Sequence, residues 1–371
     1  MTVHDATLHP SQRPHLSAMV EDHVHGWMTL LARRAFGWLP RIDPFIGLGT
    51  PTSVRVLARV LTSPRRVGRG SPMAVDRGFR SYMTLPAAGE TIIVTIGSTR
   101  VEVTCDRAGY VDTVIDLVEG SSLEPGWQRV VLQTTGRGPM MRVGHVLIIG
   151  PDSQYGVISD IDDTIMETSV PRLAVALWNT FLARPSSRRA VPGMPQLYRW
   201  LATRQPTAPF IYLSAGAWNS FRNLERFFTS FGYPRGPKLL TDFGPTATGW
   251  FRSGPQHKRV ELQWLIETFP QVTWLLIGDD GQSDPQVYAE IASRYPQRIA
   301  GVATHLVKPQ RDSGGRTAAG GPAGSGGEGT GASKAGSASV PVPMSVPTAN
   351  ARDGLSLRSQ LDALDVWPTV T

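Results

Sequence analysis

The chain has 371 residues, of which 41% are hydrophobic, so it is long enough for two domains with ordinary apolar cores. Its formal net charge of +7 favours anionic partners such as phosphate esters or acidic lipid, without choosing among them. No run of residues is apolar for long enough to cross a bilayer, and the first residues lack the pattern of a secretory signal. Because Cys105 is the single cysteine, an internal disulfide framework is excluded, and we expect a cytoplasmic protein.

Residues 1–43 are predicted to form an N-terminal helical segment, because apolar side chains recur at helical spacing through 16–38. Two interpretations of this segment stay open. It is either a helix packed on its own domain or an interfacial helix with Arg33, Arg34 and Arg41 near lipid headgroups. The second interpretation would give the protein a peripheral contact with an anionic membrane.

Residues 44–150 are predicted to form an antiparallel β-sandwich. Short runs alternate between apolar and polar residues and are separated by turns, as half-buried strands are. These runs are 54–61, 91–97, 99–105, 110–117 and 127–135. Between Pro44 and Val75 there are several arginines, Arg55 and Arg59 among them, and no acidic residue. We interpret these arginines as a solvated strand face and loop, with a docking surface for phosphates as the alternative.

Residues 151–310 change to an alternation of strands and helices, which predicts a doubly wound, Rossmann-like α/β domain. The runs YGVISD, FIYLSAG and WLLIGDD are continuously apolar and end in polar or small residues, as buried parallel strands do. One predicted helix, 171–184, is strongly apolar. Residues 311–371 form a Gly/Ala/Ser/Pro-rich tail that is predicted to be disordered, with leucines near its end that suggest a short helix.

Carboxylates follow two of these predicted strands. The segment GVISDIDDTI carries Asp160, Asp162 and Asp163 within four positions, and WLLIGDDGQSDP carries Asp279, Asp280 and Asp284. Such a group of negative charges repels itself in a partly dehydrated site unless a cation offsets it. Magnesium suits such a site, because it binds one or two carboxylates together with water and a substrate phosphate. The sequence therefore predicts a Mg²⁺ site.

Two further features suit a phosphate ligand. Ser214 ends a predicted strand, and its hydroxyl together with the N–H groups of Ala215 and Gly216 could hold phosphate oxygens at a helix N-terminus. Lys258 lies at the start of a predicted helix, where the helix dipole disfavours a cation, and lysine is rare in this chain. A phosphate facing Lys258 would account for its position.

In this order, the residues resemble the four motifs of the haloacid dehalogenase superfamily of phosphohydrolases. A finer resemblance is to the phosphatidate phosphatase family typified by a yeast actin-patch-associated enzyme, which has many bacterial members. It is carried by GVISDIDDTI, SAGAWNSF, FRSGPQHK and IGDDGQSDPQVYAEI, and it extends over roughly residues 44–308. The resemblance implies a Mg²⁺-dependent phosphatase that forms an aspartyl-phosphate.

The resemblance also implies roles for individual residues. Asp160 would attack the phosphorus, and Asp162 would protonate the leaving alkoxide and then activate water, while Ser214 and Lys258 hold the phosphoryl group. Thr164, Ala215, Gly216 and Trp218 would support the bound substrate. The metal set would be Asp160, Asp162 through its backbone carbonyl, Asp279, and Asp284 as a supporting acid. The chain departs from the family at Asp280, which could add a charge beside the metal.

The expected substrate is a phosphomonoester, with phosphatidate or a related lipid phosphate favoured by the resemblance and by the apolar helix at 171–184. A soluble phosphomonoester is the alternative. A second alternative is a membrane- or partner-binding module with secondary phosphatase activity. Nucleic acid is not an expected partner, because the arginines are not interleaved with aromatic residues and no recognition motif appears.

Overall fold

The computed structural model of the protein describes residues 3–5, 38–63, 85–135, 139–167, 188–241, 254–307, 342–343 and 345–369. The segment 16–38, apart from its last residue, and the helix predicted at 171–184 lie outside these residues. None of the helices in the described ranges combines the length and the apolar character that a bilayer-spanning helix requires.

A first sheet of ten strands occupies the part of the chain predicted to be a sandwich, residues 44–150, and also includes Val3–Asp5 and most of Leu39–Pro44. The prediction of a helical segment across residues 1–43 is wrong for these two strands, which pair with strands of the predicted sandwich. The strands are β1 (Val3–Asp5), β2 (Leu39–Pro44), β3 (Ile46–Gly49), β4 (Ser53–Ser63), β5 (Leu85–Pro86), β6 (Thr91–Ile96), β7 (Thr99–Thr104), β8 (Tyr110–Asp116), β9 (Gly126–Thr134) and β10 (Met141–Ile148). The main path runs β1-β8-β4-β3-β10-β9-β6-β7, while β2 and β5 pair with β4. The pairs are antiparallel except β3 with β10, which are parallel. Period-two alternation does not encode strand direction, so the prediction of purely antiparallel pairing is wrong for this pair.

The first sheet encloses an apolar core of its own, built from alternate residues of β4, β6, β7, β8, β9 and β10. Along β7, for example, buried and exposed residues alternate strictly. Gly97 makes the tight turn from β6 to β7, and its φ of 54° lies in the left-handed region that glycine adopts without strain. On β4, in contrast, nearly every residue is buried, because its second face is covered as well. Arg55 on this strand is therefore 5% exposed, and the interpretation of a solvated strand face is wrong for it.

A second sheet of six strands follows, and every neighbouring pair in it is parallel. Its strands are β11 (Tyr155–Asp160), β12 (Phe210–Ala217), β13 (Lys238–Thr241), β14 (Thr273–Asp279), β15 (Ile299–His305) and β16 (Thr348–Ala351), in the order β13-β12-β11-β14-β15-β16. The central strands β11, β12 and β14 are almost wholly buried, which agrees with their continuously apolar sequences. Because the strands are parallel, their carboxyl ends share one edge of the sheet.

Helices connect these strands and cover the sheet. They are α1 (Met194–Arg204), α2 (Phe221–Phe231), α3 (Gly254–Thr268), α4 (Asp284–Arg294) and α5 (Gly354–Ala363). The first four alternate with the strands β11 to β15 along the chain. Their apolar faces join the strands in one large buried cluster, which also includes residues of the first sheet.

The end of the chain is ordered over residues 345–369, so the prediction of a disordered tail across 311–371 is wrong there. Strand β16 adds to β15 as the sixth strand, which extends the second sheet beyond the predicted domain boundary at residue 310. Helix α5 follows, and Trp367 beyond it is fully buried, with its Nε1 donating to the carbonyl oxygen of Leu201 at 3.0 Å. Small residues suffice for β16, since its pairing uses backbone groups and buries only Ala349 and Ala351.

Candidate active site

Three carboxylates meet at the carboxyl edge of the second sheet. Asp160 is the last residue of β11, Asp279 is the last residue of β14, and Asp284 is the first residue of α4. The two strands are neighbours in the sheet, so their ends lie side by side. One carboxylate oxygen from each of the three residues lies within 4.8 Å of the others, and all three residues are buried. The geometry brings together three of the four residues predicted to hold a metal.

Gly278 makes the approach of Asp284 possible. A Cβ atom at this position would lie 2.5 Å from Oδ2 of Asp284, which is closer than real Cβ contacts come. The glycine of the GDD sequence is thus required by packing rather than by a turn. The N–H of Asp279 donates to Oδ2 of Asp284 at 3.4 Å, which ties the helix start to the strand end.

Lys258 of α3 provides the positive charge of the site. Its Nζ lies 2.6 Å from Oδ1 of Asp160 and also contacts Oδ1 of Asp284. Burial alone would lower the pKa of this ammonium, but Asp160 and Asp284 raise it above its ordinary value. Lys258 is therefore a fixed cation at neutral pH. It faces the carboxylates of Asp160 and Asp284, whereas its position in the sequence suggested a phosphate ligand.

Asp162 lies outside the three-carboxylate group and is held by Ser214 instead. The Ser214 hydroxyl donates to Oδ2 of Asp162 at 2.7 Å. Burial raises the pKa of Asp162 to about 6, and the hydrogen bond from Ser214 acts against this rise. A carboxyl group with a pKa near neutrality suits proton transfer in both directions. The metal role predicted for Asp162 concerned its backbone carbonyl, not this side chain.

The loop after β11 is a compact turn. Asp163 has a φ of 57°, and its N–H donates to the carbonyl oxygen of Met166 at 2.9 Å, while the N–H of Ile165 donates back to Ile161 at 3.0 Å. Thr164 is fully buried within this turn. A left-handed residue that is not glycine is held only where surrounding contacts enforce it. The turn therefore fixes the direction in which Asp162 points.

The segment after Ser214 differs from the prediction. The strand β12 continues to Ala217, and α2 begins only at Phe221, so Ser214 does not stand at a helix N-terminus. The N–H of Gly216 donates to the Ser214 hydroxyl at 2.8 Å, and the hydroxyl of Thr241 donates to the carbonyl oxygen of Ala215 at 2.7 Å. The N–H of Gly216 therefore already donates a hydrogen bond to Ser214 within β12.

Trp218, the fourth residue predicted to support substrate, packs against the first sheet. Its ring stacks on Phe45 with the centroids 4.3 Å apart and an interplanar angle of 19°. Phe45 also contacts Phe221 at 4.9 Å between centroids. One face of the Trp218 ring is therefore committed to a contact between the two sheets.

The chemistry of the site fits a divalent cation. Among the residues that the structure describes, four buried oxygens there have no hydrogen-bond partner: Oδ2 of Asp160, Oδ1 of Asp162, Oγ1 of Thr164 and Oδ2 of Asp279. Buried polar atoms of this kind are rare and call for a ligand. Burial also raises the pKa of Asp160 well above its ordinary value and that of Asp279 to about 7. A hard cation with oxygen ligands would satisfy these atoms and restore the ionised carboxylates.

Asp280 does not join the carboxylates, contrary to the concern raised by the sequence. Its Oδ1 accepts from the N–H of Val307 at 2.7 Å, and its own N–H donates to the carbonyl oxygen of His305 at 3.1 Å. Asp280 is exposed, so its charge is solvated. It holds the loop after β14 against the end of β15.

Two residues near the site were not predicted. His305, at the end of β15, contacts the carbonyl oxygen of Asp163 through Nδ1 at 2.6 Å and that of Arg352 through Nε2 at 3.2 Å. Its place at a strand end was the signal that could have identified it. Burial lowers the pKa of Arg188, and the nearby Asp162 carboxylate opposes that shift. Arg188 follows a segment whose sequence gives no indication of its position.

The catalytic segment also matches known proteins by sequence. Residues 155–305 match the family model described as the catalytic domain of phosphatidate phosphatase APP1. An uncharacterised protein of Schizosaccharomyces pombe is 27% identical over 199 residues, which cover 52% of this chain and 32% of that protein. Phosphatidate phosphatase APP1 of Saccharomyces cerevisiae is 24% identical over 153 residues, covering 40% of this chain and 26% of that protein.

The chain thus spans about a third or less of the length of these curated relatives. Among solved structures, a carbohydrate acetylesterase from Xanthomonas citri aligns with 72% of this chain and 68% of its own, at 10% identity and a TM-score of 0.25. That similarity is too low to carry an argument. The family model and the yeast relative nevertheless support the coarse prediction of a phosphatase, because residues 155–305 are similar to the catalytic domain of the APP1-type phosphatidate phosphatases.

Proposed function

We propose that the protein is a Mg²⁺-dependent phosphomonoester hydrolase that works through an aspartyl-phosphate on Asp160 and acts on phosphatidate or a related lipid phosphate. The observation that carries the proposal is the buried meeting of Asp160, Asp279 and Asp284 with Lys258. It occurs within the segment that matches a phosphatidate phosphatase catalytic domain. We propose the doubly wound, haloacid-dehalogenase-like fold for this domain on the same grounds.

Asp160 and Asp279 are the residues that would hold Mg²⁺ directly, since each has a buried carboxylate oxygen to which no group in the described part of the chain donates. Asp284 would act as a supporting acid, because one of its oxygens accepts from Lys258 and the other from the N–H of Asp279. When bound, Mg²⁺ would neutralise charge on the phosphoryl oxygens and favour the ionised form of Asp160.

In the first half-reaction, a carboxylate oxygen of Asp160 forms a bond with phosphorus while the bond from phosphorus to the alkoxide oxygen breaks. Asp162, with a pKa of about 6, transfers its proton to that alkoxide. Lys258 holds a nonbridging phosphoryl oxygen and keeps Asp160 in line with the phosphorus. The products are the alcohol and a phosphorylated Asp160.

In the second half-reaction, water attacks the phosphorus and the bond to Asp160 breaks. The ionised Asp162 accepts a proton from that water, and phosphate leaves. Ser214 keeps the Asp162 carboxylate in one orientation through both steps. Splitting the hydrolysis in this way lets one carboxyl group serve first as acid and then as base.

The lipid substrate rests on the match to phosphatidate phosphatase and on the net positive charge of +7, which favours an anionic surface. For phosphatidate, the alcohol released would be diacylglycerol. A membrane contact would then be peripheral, driven by charge and by apolar side chains.

The test measures phosphate release from phosphatidate in mixed micelles and from glycerol 3-phosphate and para-nitrophenyl phosphate in solution. We expect release that requires Mg²⁺, is absent in Asp160→Asn, and follows the surface fraction of phosphatidate. Full activity in excess EDTA, or in Asp160→Asn, would refute the proposed chemistry. Turnover of glycerol 3-phosphate far above that of phosphatidate would refute the lipid substrate and leave the phosphatase.

A further inference from the structure

The first sheet contributes directly to the surroundings of the active site. Phe45, Ile46, Leu48, Leu57 and Tyr110 all lie in the same buried cluster as the strands that carry the catalytic residues. These positions lie outside residues 155–305, the segment that matches the family model. The match therefore assigns nothing to them, and their effect on the site has to be argued from contacts.

Arg55 is the most constrained of these contacts. Its Nε and Nη2 donate to the two oxygens of Asp112 on β8, each at 2.7 Å. Its Nη1 and Nη2 donate to the two oxygens of Glu261 on α3, at 2.6 and 3.0 Å. Its guanidinium also lies over the Trp264 ring, 4.7 Å from the centroid. One planar group thus makes two bidentate pairs, one inside its own sheet and one across to α3.

Glu261 is one helical turn from Lys258. Residues three apart lie on the same face of a helix, about 4.5 Å apart along its axis. Both side chains are buried, with Lys258 reaching Asp160 and Glu261 reaching Arg55. His257, the residue before Lys258, has its Nδ1 3.9 Å from Oε1 of Glu261. A shift of α3 would move Lys258 and break the Arg55 pair together.

A second contact from the same region reaches the Ser214 segment. Phe45 lies just before β3 and stacks on Trp218, four residues after Ser214. Tyr110 of β8 packs beside Trp218, with centroids 6.4 Å apart. The first sheet thus contacts both α3, whose Lys258 is proposed to hold the phosphoryl group, and the segment after Ser214, which orients Asp162.

We propose that Arg55 is a positioning residue for phosphate binding: through its bidentate pair with Glu261 it fixes α3 so that Lys258 meets the phosphoryl group. This inference rests on the proposed function of Lys258. It assigns to the first sheet an indirect role in the reaction, exerted through α3.

An adhesive role alone does not account for this network. The apolar cluster already joins the two sheets, and buried ion pairs contribute little net stability compared with apolar packing. Two bidentate pairs on one guanidinium fix the position of α3 relative to the first sheet, because a small displacement of the helix would break several short hydrogen bonds at once. Errors of about 1 Å in the placement of a catalytic group can lower rates a hundredfold.

The two carboxylates on Arg55 provide a matched pair of variants. Glu261→Gln weakens the pair that crosses to α3, while Asp112→Asn weakens the pair inside the first sheet and leaves the link to α3. Both are made in the full chain and differ from it by one neutralised carboxylate on the same guanidinium. For each we would measure KM for para-nitrophenyl phosphate, the inhibition constant of inorganic phosphate, the Mg²⁺ activation constant and the melting temperature.

We expect Glu261→Gln to raise KM and the phosphate inhibition constant roughly tenfold or more, with the Mg²⁺ activation constant within about twofold of wild type. Asp112→Asn should keep all three constants within about twofold of the wild-type values, even if its melting temperature falls as far as that of Glu261→Gln. Equal effects of the two variants on phosphate affinity, or none from Glu261→Gln, would overturn the inference.

Should Glu261→Gln fail to fold, Arg55→Met with Glu261→Met removes both charges and carries the same expectation. A wild type without phosphatase activity would count against the proposed function instead, and phosphate binding by calorimetry would then test the link.

Discussion

At the scale of single residues, the site balances the negative charge of its buried carboxylates against the buried cation Lys258. Lys258 offsets part of the charge of Asp160 and Asp284. Burial still raises the pKa of Asp160 well above its ordinary value and that of Asp279 to about 7. Without a metal, the folded protein therefore holds protons near neutral pH that the unfolded chain would release.

The first prediction concerns stability against pH in the presence of EDTA. The pKa of Asp279 is about 7 in the folded protein against an ordinary value of 3.8, so its protonated form stabilises the fold at low pH. This stabilisation is lost as pH rises through the folded pKa, and a difference of one between the folded and unfolded pKa values corresponds to about 1.4 kcal/mol. The melting temperature in EDTA should fall as the pH rises from about 4 to about 7 and change little above that, and added Mg²⁺ should raise it more at the upper end of this range.

Asp279→Asn is the control for this prediction, because it keeps the shape of the side chain and cannot ionise. Its melting temperature in EDTA should depend less on pH than that of the wild type, and Mg²⁺ should stabilise it less. If Mg²⁺ raised the melting temperature of the wild type equally at about pH 4 and at about pH 7, the account would be contradicted.

The second prediction concerns the hydrogen bond from Ser214 to Asp162. This bond favours the ionised carboxylate, so Ser214→Ala should raise the pKa of Asp162 above about 6. The step that needs ionised Asp162 should then require a higher pH, and single-turnover dephosphorylation should show its acid limb displaced upward. Ser220→Ala is the matched control, since that buried hydroxyl donates to Ala217 instead. An acid limb that does not move in Ser214→Ala would show that the bond does not tune Asp162.

How far sequence reasoning reaches differs among these residues. Asp160, Asp279 and Lys258 were predictable, because functional groups at the ends of parallel strands converge. The role of Arg55 was not predictable. Its partner Glu261 is 206 positions away in the sequence, and the alternation of a strand cannot show which element covers the polar face of that strand. The engagement of the Gly216 N–H by Ser214 was also hidden, since it depends on local backbone geometry.

At the scale of elements, residues 345–369 supply β16, which is the edge strand of the second sheet beside β15. Strand β16 pairs with β15, and His305 at the end of β15 contacts both Arg352 and the loop residue Asp163. Asp353 caps α5 by accepting from the N–H groups of Leu355 and Ser356. This segment therefore belongs to the folded domain, although the chain leading to it has the composition of a linker.

The third prediction tests that assignment. Trp367 is 0% exposed and packs edge-on against Tyr155, so Trp367→Ala should destabilise the protein by about 3–5 kcal/mol. Leu364→Ala is the control, because Leu364 is 43% exposed and its loss should change stability by about 0.5 kcal/mol or less. Denaturant unfolding measures both values. Equal small losses would show that the segment is not docked in solution.

The elements also show why composition misled at the tail. Alternation identified β6 and β7 almost to the residue, because one face of each is buried. Strand β16 gave no such pattern, since small side chains suffice where pairing is made by the backbone. The parallel pairing of β3 with β10 was likewise invisible, as direction follows from the connection and not from alternation.

At the scale of the whole molecule, the two sheets share buried residues and a buried ion pair, so they should not unfold independently. The fourth prediction is a single cooperative transition in calorimetry of the full chain, with the calorimetric and van't Hoff enthalpies in agreement. Residues 151–371 expressed alone should be unstable, because Phe45 and Leu57 would be lost from the core and Glu261 would lose its ion pair with Arg55. Two separated transitions would contradict this view of the molecule.

The central claim is that Asp160 carries the phosphoryl group, and chemical trapping tests it most directly. Asp162→Asn removes the group that activates water, so phosphoenzyme formed from para-nitrophenyl phosphate with Mg²⁺ should accumulate. Acid quenching, borohydride reduction and peptide mapping would then locate it, since an aspartyl-phosphate is reduced to homoserine. The account predicts homoserine at position 160 and none in the Asp160→Asn, Asp162→Asn double variant. Phosphate found on a serine, a histidine or any other aspartate would contradict it.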